Sequence, residues 1–213
     1  VVYVAAQGPL WSAGGDRGLF KTTDGGATWA KLLGGGEYTG VNEVVMDPRD
    51  PDVLYASTHQ RFRNVAALIN GGPESGIHKS VDAGKTWRRL VKGLPEGDLG
   101  KIGLALSPQN PAVLYATIEL PHRKGAFYRS ADGGGSWEKR SDYAAGGPGP
   151  HYYNGIFASP HQFDRVYHMD VRLHVTEDGG KTFRSIEGTF KHVDNHALAF
   201  DPHDPNYLLA GCD

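Results

Sequence analysis

Two short segments in the second half of the chain collect residue types that bind or transform polar ligands. They read His151-Tyr-Tyr-Asn154 and His192-Val-Asp194-Asn-His196. Carboxylates exchange protons and hold hydroxyl groups, histidines change charge near neutral pH, and tyrosine rings offer an apolar face beside them. These segments therefore predict a site for a polar organic ligand. Its candidate binding residues are His151, Tyr152, Tyr153, Asn154, His192, Asn195 and His196.

Carboxyl groups would add catalysis to such a site. Hydrolysis of a glycosidic bond needs two of them, about 5 Å apart when configuration is retained and about 6.5 to 9.5 Å apart when it is inverted. Asp194, which lies between two histidines, and Asp170 are the candidate catalytic pair. Trp11 and Glu119 are further candidates for substrate binding, because sugars stack on aromatic rings and hydrogen-bond through their hydroxyls. The alternative is structural: rings packed between sheets and carboxylates hydrogen-bonded at a rim.

Other kinds of chemistry find less support in the sequence. His192, Asp194 and His196 would share one face of an extended strand, which can hold a divalent cation, but histidines at a polar rim more often form hydrogen bonds only. Cys212 is the sole cysteine, and no Gly-x-Ser-x-Gly sequence is present for a nucleophilic serine. The glycine-rich runs lack the Lys-Ser/Thr ending of a phosphate-binding loop. We expect neither a metal ion nor a cofactor.

An internal repeat predicts the elements that position these residues. Four octapeptides share Ser or Thr at position 1, Asp at position 3, Gly at position 5, Thr or Ser at position 7 and an aromatic residue at position 8. The Asp accepts hydrogen bonds from turn amides, the Gly supplies a positive φ, and the aromatic residue begins the returning strand. Each octapeptide therefore predicts a β-hairpin turn. They occupy residues 22–29, 80–87, 130–137 and 176–183.

A proline-rich turn alternates with the octapeptides. Asp47-Pro-Arg-Asp-Pro51 is the first example, with an apolar run before it (Val41–Met46) and another after it (Val53–Ala56). Each sequence repeat thus predicts four short strands. Strand a comes before the proline turn, strand b after it, strand c leads into the octapeptide and strand d leaves it. The octapeptides recur at intervals of 58, 50 and 46 residues. Four-stranded units of this length indicate the blades of an all-β β-propeller.

The pattern resembles the Asp-box family, also called bacterial neuraminidase repeats. The four octapeptides carry the resemblance, which with the proline turns covers nearly the whole chain. Asp-box propellers include sialidases, xyloglucan-cleaving glycoside hydrolases, sortilin-type receptors and a photosystem assembly factor, and the spacing is most similar to sortilin-like bacterial proteins often labelled glycosyl hydrolases. The resemblance implies that residues 1–213 are a partial propeller of about four blades. It determines the fold far better than the function.

Strand direction separates the repeated features from the variable ones. The a–b and c–d turns share one end of a blade, and the d–a and b–c connections share the other. Since Asp24, Asp82, Asp132 and Asp178 recur once per blade, we assign them to folding. The candidate site residues lie at the opposite end, where the units differ, together with a long b–c loop at Thr58–Ser75.

Composition narrows the range of partners. The formal net charge of −2 gives no reason to expect a nucleic acid, and no apolar run is long enough to span a membrane. The chain begins at Val1 without a Met, and its strands leave one over from four complete sets. We therefore expect part of a larger propeller, whose exposed blade edges permit self-association. Family resemblance alone implies a secreted or periplasmic location.

Two functions follow from these observations. The first is a secreted, glycoside-hydrolase-like protein that binds a polysaccharide or oligosaccharide at the end opposite the octapeptides. The alternative is a sortilin-like propeller scaffold that binds a protein or peptide without catalysis. A sialidase is disfavoured, because the Arg-Ile-Pro sequence that the resemblance would require does not occur.

Overall fold

The structure is a computed structural model that describes residues 1–143, 154–186, 188 and 191–213. The regular elements in these ranges are β-strands joined by turns, as the repeat predicts. Within the same ranges, no helix is long and apolar enough to cross a bilayer. The chain divides into two compact units, Val1–Val91 with Pro95–Ile102 and Lys92–Leu94 with Gly103–Asp213.

The first unit contains two antiparallel sheets. One has the order β1-β2-β3, and the other has the order β4-β5-β7-β8, with β6 paired to the far half of β5. Leu19, Val41 and Ala56 form a buried core between them. The strands are β1 (Val2–Ala6), β2 (Gly18–Thr22), β3 (Ala30–Leu33), β4 (Thr39–Met46), β5 (Leu54–Arg63), β6 (Leu68–Asn70), β7 (Gly76–Ser80) and β8 (Arg88–Leu90).

The β5–β6 hairpin corrects the prediction of a loop at Thr58–Ser75. β5 continues to Arg63 and pairs with β6 in the register Arg61↔Asn70 to Arg63↔Leu68. Asn64 closes the turn, because its side-chain oxygen accepts from the amides of Ala66 and Ala67 at 2.9 and 2.8 Å. The b–c connection of this blade therefore contains a two-stranded hairpin.

The second unit contains two four-stranded antiparallel sheets, β9-β10-β11-β12 and β13-β14-β15-β16, and the pair β17-β18. One core cluster is built around Tyr115, Phe127 and Ile156, and another around Tyr167, Met169 and Leu173. The strands are β9 (Ile102–Leu106), β10 (Leu114–Leu120), β11 (Lys124–Ser130), β12 (Glu138–Ser141), β13 (Gly155–Ala158), β14 (Val166–Met169), β15 (Leu173–Thr176), β16 (Arg184–Ser185), β17 (Asn195–Phe200) and β18 (Leu208–Cys212).

Each octapeptide turn contains the same set of hydrogen bonds. In the second turn, Asp82 accepts from the Ser80 hydroxyl at 2.7 Å and from the amide and hydroxyl of Thr86 at 2.9 and 2.6 Å. The Ser80 hydroxyl in turn accepts from the amide of Gly84 at 2.9 Å. The other three turns repeat these four bonds. Hydrogen bonds from Thr86 and Ser80 lower the pKa of Asp82 to about 2, so its carboxylate stays ionised in the folded turn.

The octapeptide turn is tied to the proline turn of its own blade. The amide at octapeptide position 4 donates to a proline-turn carbonyl in three blades: Ala83 to Asp52 (2.9 Å), Gly133 to Ala112 (2.8 Å) and Gly179 to Asp164 (2.9 Å). Both turns therefore lie at one end of each of these sheets, as predicted. Asp170 lies at the other end of its sheet, because β14 starts opposite the octapeptide, at Val166↔Thr176, and runs towards Asp170.

Position 4 of the second octapeptide offers a test of this turn geometry. Ala83 has a φ of 57°, whereas Gly25, Gly133 and Gly179 occupy the same place in the other turns. Left-handed backbone costs a non-glycine residue about 1–2 kcal/mol, and glycine adds about 0.4–1 kcal/mol of unfolded-state entropy. Ala83→Gly should therefore raise the free energy of unfolding by about 0.5–1 kcal/mol, measured by urea denaturation.

Gly25→Ala is the matched reverse change. A Cβ at Gly25 meets no atom within 4 Å, so only its φ of 77° opposes the substitution. This variant should be less stable than the wild type. Equal stability of both variants and the wild type would contradict the assignment of strain to position 4.

Candidate functional site

Three candidate residues of the second unit attach to the segment that follows β14. Their backbone amides donate to consecutive carbonyls: Asn154 to Met169 (3.1 Å), Asn195 to Asp170 (3.0 Å) and Asp194 to Val171 (2.8 Å). The Asn195 side chain adds bonds from Nδ2 to the carbonyls of Asp170 and Val171, both at 3.0 Å. The starts of two a strands thus meet at the end of one b strand, as the blade geometry predicts.

Burial distinguishes the two candidate carboxylates. Asp170 is 2% exposed and Asn195 is fully buried, so this part of the cluster is enclosed by protein. Asp194 has a φ of 64°, a conformation that Asp tolerates better than most residues. This backbone bend lets the successive amides of Asp194 and Asn195 both reach the segment after β14.

Asn154 belongs to a chain of side-chain hydrogen bonds. Its Oδ1 lies 3.2 Å from the Thr117 hydroxyl and 2.9 Å from His168 Nε2, and His168 Nδ1 lies 2.7 Å from the Tyr143 hydroxyl. Because an amide oxygen only accepts, the network assigns the ring proton of His168 to Nε2 and makes Nδ1 an acceptor from Tyr143. The chain therefore runs from Tyr143 through His168 to Asn154.

This chain is uncharged near neutral pH. Burial, with a smaller contribution from His174, lowers the pKa of His168 to about 3. Burial, with a smaller contribution from the charge of Asp170, raises the pKa of Tyr143 well above its ordinary value. Neither group therefore titrates between pH 5 and 9, and the chain fixes the orientation of Asn154 without storing charge.

The remaining candidates are more dispersed. His196 Nε2 lies 3.1 Å from a carboxylate oxygen of Asp213. His192 is exposed, and its Nδ1 lies 3.0 Å from the carbonyl of Val193. Glu119 lies on β10, two residues beyond Thr117 and on the same face of the strand. Three further candidates, His151, Tyr152 and Tyr153, lie outside the described residues.

The histidines around Asp194 do not form a metal centre in the structure. Across residues 1–143, 154–186, 188 and 191–213, no group of three or more His, Cys, Asp or Glu side chains is placed to hold a metal ion. His196 is directed to Asp213, and His192 is directed to the neighbouring backbone. In the structure both histidines make hydrogen bonds to these neighbours.

Trp11, in the first unit, lies on a loop organised by a buried arginine. Arg17 is 2% exposed, and its guanidinium donates to backbone carbonyls of the loop between β1 and β2. The acceptors are Gln7 (2.8 Å), Pro9, Ser12 (2.8 Å) and Gly14 (2.8 Å). A planar group with five donors can satisfy such a ring of acceptors, which the single nitrogen of lysine cannot do. Arg17 therefore holds the loop in one conformation.

The β5–β6 hairpin braces the same loop. The Arg63 guanidinium lies 4.9 Å from the centre of the Trp11 ring, and the Arg63 amide donates to the carbonyl of Leu10 at 2.9 Å. Arg61 reaches the carbonyl of Gly8 at 3.0 Å. Trp11 nevertheless remains 58% exposed. A large ring held by cation–π and backbone contacts, yet open to solvent, is suited to stacking against a flat ligand.

A second aromatic pair lies on the same hairpin. The rings of Tyr38 and Phe62 pack edge to face with centres 5.0 Å apart, and the amide of Arg61 donates to the carbonyl of Tyr38 at 2.9 Å. Tyr38 is exposed at its surface. We call Trp11, Tyr38 and Phe62 the aromatic platform. It lies at the end of the first unit opposite the octapeptide turns, because it follows β1 and extends β5 beyond its pairing with β7.

Comparison with solved structures identifies the architecture. An ancestral GH74 enzyme superposes with a TM-score of 0.60 at 17% sequence identity, over 93% of this chain and 27% of that one. The GH74 enzyme of Niastella koreensis gives 0.55 at 19% identity, over 86% of this chain and 27% of that one. The fold is a partial β-propeller. At these identities the likeness carries the fold alone.

Sequence comparison finds xyloglucanases. A xyloglucanase of Acetivibrio thermocellus is 26% identical over 232 residues, which cover 91% of this chain and 26% of the relative. One from a Paenibacillus species is 35% identical over 101 residues, 46% of this chain and 9% of the relative. The chain thus spans about a quarter or less of these relatives. It matches no protein-family profile.

Sequence reasoning missed four residues that shape these surroundings: Arg17, Glu43, Tyr143 and His168. Arg17, Tyr143 and His168 act across 3 to 25 residues of sequence through contacts that no local pattern announces. Glu43 had a visible signal, since it interrupts a column of small residues in the aligned a strands. A comparison of the next position along the aligned a strands would have identified Glu43.

Replacing Arg17 tests whether it organises the loop. Arg17→Lys leaves several buried carbonyls without a donor, each costing about 1–3 kcal/mol before water enters. We expect the free energy of unfolding to fall by about 2–3 kcal/mol, and amide hydrogen exchange across residues 8–16 to accelerate. The exposed Arg88→Lys is the control. Unchanged exchange in the loop of Arg17→Lys would show that other contacts hold it.

Proposed function

We propose that this chain is part of a glycan-active, glycoside-hydrolase-like propeller that binds a β-glucan chain such as xyloglucan. The observation that carries the proposal is the exposed Trp11 ring on a loop pre-formed by Arg17 and Arg63. The xyloglucanase names of the sequence relatives support the same ligand class. Sugar rings present flat C–H faces to such an aromatic surface and leave their hydroxyls to hydrogen-bond at its edge.

Pre-organisation is what makes the Trp11 loop favourable for binding. A flexible loop would lose side-chain and backbone entropy when a ligand orders it, and that loss would weaken the complex. Here the guanidinium of Arg17 and the hairpin contacts have already ordered the loop. Tyr38 and Phe62, on the same hairpin as Arg63, offer a second aromatic contact, which suits an oligosaccharide of several residues better than a single sugar.

Two wider inferences accompany this proposal. We infer that the octapeptide turns are Asp boxes, since their composition and hydrogen-bond network follow one template in every copy. We also infer that the protein acts outside the cytoplasm, in a secreted or periplasmic location, because a polysaccharide ligand does not cross a membrane.

Binding to xyloglucan oligosaccharides tests the proposal directly. Trp11→Ala removes the stacking surface and should weaken the affinity measured by calorimetry at least tenfold, about 1.4 kcal/mol of binding free energy. Trp29→Ala is the matched control, since Trp29 is 45% exposed and lies in an octapeptide turn at the other end of the blade. This variant should bind like the wild type.

Other outcomes would redirect the proposal. Equal loss in both variants would indicate general destabilisation instead of a binding surface. Absence of binding to xyloglucan and to related β-glucans would contradict a glycan ligand and favour the alternative of a protein or peptide ligand.

For catalysis, we propose Asp170 and Asp194 of the second unit as the carboxyl pair. Their segments are joined by the bonds of Asn195 and Asp194 to residues 170 and 171, which brings the two backbones together. Asp170→Asn and Asp194→Asn should each lower the kcat of polysaccharide hydrolysis at least a hundredfold while binding is retained. Glu138→Gln, which changes an exposed carboxyl group at the octapeptide end of the same unit, is the control. Hydrolysis that persists in both variants would contradict this assignment.

A further inference from the structure

Glu43 stands out when the four a strands are compared. The proline turns align structurally, because the amides of Asp47, Ser107, Ser159 and Asp201 make the same bond to the residue six positions later. Four residues before these turns lie Glu43, Gly103, Gly155 and Ala197. Three of these positions hold a residue with at most one side-chain carbon. A Cβ added at Gly103 would come within 1.9 Å of the Asn154 carbonyl, so that position has no room for a side chain.

A β-bulge directs the Glu43 side chain. Val41 pairs with Thr58 and Glu43 pairs with Ser57, so Asn42 is the extra residue. Directly paired residues project to the same face of a sheet, and the Ser57 hydroxyl donates to the carbonyl of Ile102 at 3.0 Å. Glu43 therefore faces residues 101–102, the last two residues of the first unit, at the start of β9. Lys101 is one of them and is 4% exposed.

Amide groups surround the same point. Asn42 Nδ2 donates to the carbonyl of Ile102 at 3.0 Å and lies 3.5 Å from a carboxyl oxygen of Glu43. Gln7 Nε2 donates to Asn42 Oδ1 at 2.6 Å, which fixes the orientation of both amides. Gln7 is also the first residue of the loop that carries Trp11, and its carbonyl accepts from Arg17. The carboxyl group is thus joined to the Trp11 loop by two hydrogen-bonded amides.

The environment leaves Glu43 close to a change of charge at neutral pH. Burial raises the pKa of its carboxyl to about 7, although the positive charge of Lys101 opposes the rise. Among the described residues, Lys101 is the charged group that acts on it. β5 contributes the uncharged Ser57, and the Trp11 loop contributes the amide of Gln7. Glu43 is nevertheless only partly buried at its surface, so a ligand can reach it.

We propose that Glu43, with Lys101 and Asn42, forms a subsite that binds the hydroxyl groups of a neutral sugar residue. This inference rests on the proposed function, in which a glycan stacks on Trp11. A carboxylate accepts from two neighbouring hydroxyls of one ring, and the ammonium group of Lys101 donates to one of their oxygens, while Asn42 orients the carboxylate. The sugar held here is then part of the same oligosaccharide that stacks on the aromatic platform.

The subsite makes binding dependent on pH. Hydroxyl donors stabilise the ionised carboxyl, so binding lowers the Glu43 pKa and releases a proton. If only the ionised form binds, the ionised fraction rises about tenfold between pH 6 and pH 8 for a pKa of about 7, and affinity follows it. The stability of the free protein changes with pH in the opposite direction to the binding affinity. Because the Glu43 pKa is raised in the folded state, that state becomes less stable as pH rises from about 4.5 to about 7.

Calorimetry with a xyloglucan oligosaccharide at pH 6, 7 and 8 tests the subsite. The wild type should bind about tenfold more tightly at pH 8 than at pH 6. Glu43→Gln should bind about tenfold more weakly than the wild type at pH 8 and show no pH dependence. Glu37→Gln, which changes an exposed carboxyl group of the same unit, is the control and should follow the wild type.

A measurement on the unmodified chain covers the case in which Glu43→Gln fails to fold. Titration of the Glu43 carboxyl by carbon NMR should show a lower pKa with the oligosaccharide than without it. An unchanged pKa, or a Glu43→Gln variant with wild-type affinity at all three pH values, would overturn the subsite. Binding that Trp11→Ala abolishes and Glu43→Gln leaves intact would sink this inference alone, whereas no binding by the wild type would sink the proposed function.

Discussion

One Asp carboxylate organises each octapeptide turn, and the blades depend on that arrangement. It accepts from the hydroxyl at position 1 and from the amide and hydroxyl at position 7, which closes the chain around a single charge. The closed turn then presents its position 4 amide to the proline turn. The equivalent position of strand b pairs with octapeptide position 1 at each of the four turns, as Leu54 pairs with Ser80. The register of strands b and c is therefore fixed at this end.

With one end of each blade fixed, the other end is free to vary. The first unit uses that freedom in the Trp11 loop and the β5–β6 hairpin, and the second uses it around Asp170 and Asn195. Arg17 acts in the opposite sense to the octapeptide Asp. Its buried guanidinium donates to several backbone carbonyls, whereas the Asp carboxylate accepts from amides and hydroxyls. In both cases one charged side chain forms several charge-assisted hydrogen bonds, which order backbone that is not paired with a neighbouring strand. Of these two devices only the octapeptide is repeated, so the sequence shows it as a pattern and does not show Arg17.

That difference explains what the sequence could and could not predict. The octapeptides, proline turns and strands such as Gly76–Ser80 were predictable because each depends on residues within a few positions. The β5–β6 hairpin was missed because Arg61–Asn70 has no regular alternation, and an Asn turn alone closes it. The chain from Tyr143 to Asn154 depends on contacts between different strands. Residues 151–153 lie outside the described ranges and stay predictions.

Charge regulation in the two units follows burial more than residue type. Histidine usually responds to pH near neutrality, yet burial lowers the pKa of His168 to about 3 and that of His78 to about 4, so both stay neutral. The same desolvation acts in the opposite direction on an acid and brings Glu43 to about 7. A pH response near neutrality is therefore assigned to a carboxyl group of the first unit instead of to His168 or His78. Since the ionised form of Glu43 is disfavoured by burial, a ligand that supplies hydroxyl donors recovers part of that cost, which couples occupancy of the subsite to its charge.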